Sequence, residues 1–62
     1  FKNPIDGDYI MQLFGIDPCR TIVELKEYVT EAILNGDIPN EFEAADALMR
    51  GRAAELGLVP RE

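Results

Sequence analysis

The segment Asn35-Gly36-Asp37-Ile38-Pro39-Asn40-Glu41 constrains this chain more than any other, because seven residues carry both a helix stop and a helix start. Glycine after an apolar stretch takes the left-handed angles that end a helix, and the following Pro and Asn suit the opening of another. Upstream, Gly15-Ile16-Asp17-Pro18-Cys19-Arg20 is a second junction of the same kind. Two such junctions in 62 residues impose a helix–turn–helix–turn–helix order. Neither junction carries catalytic chemistry, so the function lies in what this piece is attached to or what it binds.

The apolar spacing supports helices over about residues 6–14, 18–35 and 40–56, a small all-α bundle forming one domain over residues 1–62. Lys2 to Pro4 read as an extended lead-in, since a residue before proline avoids helical angles. Asp6 is placed to cap the first helix and Asp8 to favour its positive dipole end. Ile10, Leu13 and Phe14 recur at helical spacing with Met11 beside them, and Gly15 is the left-handed stop, with Ile16 supplying the apolar contact of a Schellman ending. Asp17 is expected as the next N-cap, with Pro18 at N1. Ile22, Leu25, Val29, Ala32 and Ile33 then share one face, while Glu24, Glu27 and Glu31 line the opposite one. Asn40 and Glu43 have capping-box spacing at the head of the third helix. Phe42, Ala45, Leu48, Met49, Ala53 and Leu56 form its apolar stripe. Gly51, inside that helix, costs about 1 kcal/mol relative to Ala and suggests close packing there. Gly57 and Pro60 end it.

Composition removes several function classes. There is one cysteine and no histidine, which excludes an intramolecular disulfide, Cys/His zinc sites and Cys–His or Ser–His nucleophile pairs within the chain. Cys19 therefore reads as a small residue in the first turn of a helix rather than as a reactive thiol. The row Glu24/Glu27/Glu31 diverges into water, whereas hard cations need converging oxygens, so it reads as a solvated face. The net charge of −6, from twelve acidic and six basic side chains, repels a phosphate backbone, so any nucleic-acid contact must be local. No apolar run reaches the roughly 20 residues of a membrane span, and there is no targeting signature, so a cytoplasmic location is the default expectation. The chain begins at Phe1 and reads as an excerpt of a longer protein.

Leu13-Phe14-Gly15-Ile16-Asp17-Pro18 has the outline of a helix-hairpin-helix phosphate clamp, in which backbone N–H groups at a helix N-terminus face a nucleic-acid backbone. Asp17 stands where the second glycine of that clamp would be and would repel phosphate, so a tight interhelical turn is the simpler reading. Arg50, Arg52 and Arg61 form the only basic concentration, and arginines near a helix C-terminus often serve the dipole alone. Arg20 is different, because a cation at a helix N-terminus opposes the dipole and implies a partner, either an acidic side chain or a phosphate.

The order of these residues resembles the C-terminal segment of bacterial class II tRNA nucleotidyltransferases, the CCA-adding and poly(A) polymerase-like enzymes, most of all those with an HD domain. The resemblance rests on Ile5-Asp6-Gly7, Ile10-Met11, Phe14-Gly15-Ile16, Pro18, Arg20, Ile22 and Leu25-Lys26. It continues through Glu31-Ala32-Ile33-Leu34, Gly36-Asp37-Ile38-Pro39-Asn40-Glu41 and Glu43-Ala44-Ala45, covering about residues 4–58. The chain departs from the family at Cys19 and Val23, where glycine is usual, which weighs against a ligand backbone approaching this turn closely.

The resemblance implies a parent enzyme that uses Mg²⁺ to transfer nucleotides from CTP and ATP to tRNA 3′ ends. It also implies that the catalytic carboxylates lie in a separate head domain. The present segment would then be catalytically silent, bracing the remaining domains of the parent chain or positioning tRNA, with Arg20 and Lys26 as the first candidates for RNA contact and Arg50 and Arg52 next. The alternative is a small helical protein-interaction module with no nucleic-acid role, using Tyr9, Tyr28 and Val23, which lie off the main stripes.

Overall fold

The computed structural model describes residues 3–61, which form three helices: α1 (Gly7–Phe14), α2 (Arg20–Leu34) and α3 (Phe42–Glu55). Of the expected lead-in, Lys2 lies outside the described residues. The middle helix is the scaffold. α1 and α3 each pack on α2, and α1 meets α3 through side chains, with Tyr9 reaching across to Phe42, Asp46 and Arg50. No described helix is long and apolar enough to cross a membrane.

The apolar spacing of the sequence translates directly into the core. Ile10, Leu13 and Phe14 from α1, Ile22, Leu25 and Val29 from α2, and Ala45, Met49 and Ala53 from α3 form one buried cluster. Fully burying a side chain such as Leu25 or Met49 is worth about 1.5–3 kcal/mol relative to exposure. The two alanines of α3 leave only methyl groups at the contact, so α3 lies close against its neighbour. Glu24, Glu27 and Glu31 are exposed, as the pattern predicts, and Glu31 borders a cleft between α2 and α3. Phe42 and Leu56, expected in the α3 stripe, instead remain 47% and 41% exposed, because they sit at the two ends of the helix where α2 no longer covers it.

Ile5 joins this core with no exposed surface, ahead of the first helix. Asn3 places it there. The Asn3 amide donates to the Lys26 carbonyl at 3.1 Å and to Thr30 Oγ1 at 2.8 Å, and Asn3 Oδ1 accepts from the Ile5 N–H at 2.8 Å. These bonds hold the residues before α1 along α2 and turn Ile5 inward.

The helix ends follow the sequence more closely than the helix starts. Asp6 caps α1 by accepting from the Tyr9 N–H at 2.7 Å. Gly15 takes the left-handed conformation, and the Ile16 N–H returns to the Met11 carbonyl at 3.1 Å, the Schellman bond expected there. At the next junction Gly36 is also left-handed, with Asp37 N–H bonded to the Ala32 carbonyl at 2.8 Å and Gly36 N–H to that of Ile33 at 3.1 Å. α3 closes in the same way through Gly57 and Leu58.

Two expected helix starts are corrected. Asp17 does not cap α2 and Pro18 is not its first residue. Cys19 is the N-cap, in an extended conformation with no side-chain capping bond, and the helix begins at Arg20. The fixed φ of proline suits a bend as well as a first helical turn, and here Asp17-Pro18 serves the bend that follows Ile16. Likewise the capping box of Asn40 and Glu43 does not form. Glu41 N–H bonds the Pro39 carbonyl at 2.9 Å, making Asn40 the centre of a three-residue turn, and α3 begins at Phe42 with Glu41 as an N-cap that makes no side-chain bond.

Candidate functional site

The four basic residues expected to contact RNA are dispersed rather than gathered. Arg20 is the first residue of α2, with its side chain 91% exposed and its Nε 3.5 Å from Glu24 Oε1. An exposed pair of this kind contributes little and leaves the guanidinium available to another anion. Lys26 is half-buried, and six residues along α2 places it roughly 120° around the helix from Arg20.

Arg50 and Arg52 leave α3 in opposite directions. Arg50 turns toward α1: its Nε donates to Asp46 Oδ2 at 2.9 Å and its Nη2 to the Tyr9 hydroxyl at 3.3 Å. Arg52 turns toward α2, where its guanidinium lies 5.7 Å from the centre of the Tyr28 ring, while Nη1 meets Glu55 Oε1 at 2.9 Å. Both cations thus hold elements of the fold together. Arg20 is the most exposed of the four, and its ion pair is the long contact with Glu24.

The α1–α2 junction determines what Arg20 can do. With no side-chain cap from Cys19, the start of α2 carries unsatisfied donors and the positive end of a fifteen-residue helix dipole. An exposed guanidinium beside that end makes a local positive spot on an otherwise acidic molecule. Asp17, exposed three residues before Arg20, opposes it. The arrangement suits a single phosphate at the rim of the turn rather than a track of phosphates across the surface.

A polar cluster absent from the sequence reading links α1 to α3. The Tyr9 hydroxyl donates to Asp46 Oδ1 at 2.6 Å, while Arg50 grips the other carboxylate oxygen. The Tyr9 ring meets Phe42 edge-on, with centroids 5.3 Å apart. Burial first, and then the bond to Asp46, raise the Tyr9 phenol above its usual pKa, with Arg50 pulling the other way. The Asp46–Arg50 spacing of four on a helix was a readable signal for a pair. Its capture of a tyrosine from another helix was not. Tyr9 is therefore engaged within the fold rather than offered to a partner, whereas Val23 and Tyr28 are 52% and 41% exposed.

Elsewhere, a shallow open cleft between α2 and α3 is lined by Tyr28, Glu31, Ala32, Asn35, Asp37 and Leu48. Cys19 is exposed. Among the described residues no three Cys, Asp or Glu side chains gather as a metal site would require. Comparison with protein-family models, with curated proteins and with solved structures returned no match.

Proposed function

We propose that this chain is the C-terminal helical segment of a cytoplasmic tRNA nucleotidyltransferase, silent in catalysis by itself, which braces the parent enzyme and meets tRNA at the start of α2. Support for the family reading is the ordered run of matching residues from Ile5 to Ala45. Many of them are also positions on which the fold depends. Ile5, Ile10, Phe14, Ile22, Leu25, Ala32 and Ala45 are buried, and Gly15 and Gly36 occupy left-handed turns.

The observation that carries the RNA contact is Arg20, an almost fully exposed guanidinium beside an uncapped helix N-terminus. Phosphate is the anion such a spot suits, and one contact is compatible with the acidic remainder of the molecule. Mg²⁺, CTP and ATP belong, by the resemblance, to the head domain.

Reading the coding sequence that precedes Phe1 tests the enzyme assignment. It is expected to encode a Gly-Gly-x-Val-Arg-Asp stretch followed by Asp-x-Asp, and a preceding sequence lacking both would remove the assignment.

A second reading, a protein-interaction module, draws on Val23, Tyr28 and Leu34, which leave 52%, 41% and 66% of their surfaces exposed on α2. That reading expects the chain to self-associate or bind an apolar-surface dye. A dye-silent monomer would count against it.

A further inference from the structure

The residues after α3 do not trail into solvent. Leu58 packs against the core, and the Arg61 N–H bonds the Leu13 carbonyl in the last turn of α1 at 2.7 Å. The Arg61 side chain lies across Gly15: a Cβ added to that glycine would collide with the Arg61 Cδ and sit 2.5 Å from its Nη1. The segment that follows α3 therefore reaches the C-terminus of α1.

This position has an electrostatic reason. The last turn of α1 contains no basic residue, and its terminal carbonyls concentrate partial negative charge. Arg61 brings a guanidinium to that end and its backbone N–H satisfies one of those carbonyls. Arg61 follows α3 in sequence but serves the end of α1.

We propose that Leu58–Arg61 is a strap that closes the fold by capping α1 in trans, and that the missing side chain of Gly15 is the seat into which the strap fits. The strap adds a backbone hydrogen bond between two helices that otherwise meet through the side chains of Tyr9, Phe42, Asp46 and Arg50. It supplements the Tyr9–Asp46–Arg50 cluster and the Tyr9–Phe42 ring contact, which also tie these helices. Gly15 thus carries two separate demands, a left-handed backbone and room for the Arg61 arm. Releasing the strap loosens α1 while α2 and α3 remain packed. The inference is independent of any RNA role.

Paired substitutions separate the two demands. Asn tolerates left-handed angles better than other residues with a Cβ. Gly15→Asn places that Cβ against Arg61, whereas Gly36→Asn makes the same change in a left-handed turn with nothing within 4 Å. The measurement is amide exchange by NMR, together with the Arg61 Nε–H shift.

In the native chain the Arg61 amide is expected to exchange about tenfold or more slower than an unprotected amide, consistent with one partly exposed hydrogen bond. Gly15→Asn should displace the Arg61 arm and move its Nε–H signal to the free-arginine position, while Gly36→Asn leaves that signal unchanged. If Gly15→Asn does not fold, a chain ended after Leu58 replaces it and should show faster exchange in α1 with α2 and α3 unchanged. An unprotected Arg61 amide in the native chain, an unchanged Arg61 Nε–H signal in Gly15→Asn, or unchanged α1 exchange in the shortened chain would overturn the strap.

Discussion

Gly51 and Tyr9 show how a single residue's role depends on surroundings that the sequence does not display. Gly51 suggests close packing, but a Cβ built there meets nothing within 4 Å and the residue is exposed. Its helical backbone gains no contact in return for its flexibility. Gly51→Ala is therefore expected to stabilise the chain by about 1 kcal/mol in urea unfolding, and a loss of stability would show a constraint the open surface does not explain.

Tyr9 is the opposite case. It lies at the edge of the α1 stripe, yet its hydroxyl binds Asp46 and Arg50 across the molecule. Tyr9→Phe should cost about 1 kcal/mol, the net worth of a partly exposed hydrogen bond. Because folding raises the phenol's pKa, its contribution is complete below pH 10.0, the free-phenol value, and is lost as pH rises through the higher folded value. Unfolding titrations of native and Tyr9→Phe chains should converge above that range. A constant gap between them would contradict the account.

At the scale of the element, helix ends were legible because they depend on glycine, and of the helix starts only that of α1, capped by Asp6, lies where the sequence places it. Gly15, Gly36 and Gly57 each take positive φ where an apolar run stops. Asp17 and Asn40 are the expected caps of α2 and α3, but Cys19 and Glu41 take the N-cap positions. The outcome was decided by bends no local preference specifies: the chain must bring Ile16 and Ile38 against the core before a new helix begins.

One consequence is that α2 starts without a side-chain cap although Cys19 has the extended backbone of an N-cap, with φ −160° and ψ 175°. Cys19→Ser supplies a hydroxyl to that position and should raise stability by about 0.5–1 kcal/mol in thermal unfolding. A neutral or destabilising result would mean that the first-turn donors already have partners.

At the scale of the whole molecule, the fold class and most of the core were readable from periodicity alone, whereas the distribution of charge was not. Ile5 escaped because its burial depends on Asn3 reaching Lys26 and Thr30 more than twenty residues away. Arg50 and Arg52 look equivalent in sequence, two residues apart, but helical geometry sends one to Tyr9 and the other to Tyr28. Arg61 travels furthest, to the end of α1. Three of the cations thus bind the fold together, on a chain of net charge −6; of the others described, Lys26 is half-buried and Arg20 stands exposed at an open helix end.

A titration of the ¹⁵N-labelled chain with tRNA at low salt tests this account most directly. The predicted result is a set of shift changes centred on Arg20, Thr21 and Ile22, weakened by added salt and removed by Arg20→Glu, with α3 unaffected. Saturating tRNA that leaves those three amides unmoved, or that moves only residues of α3, would contradict it.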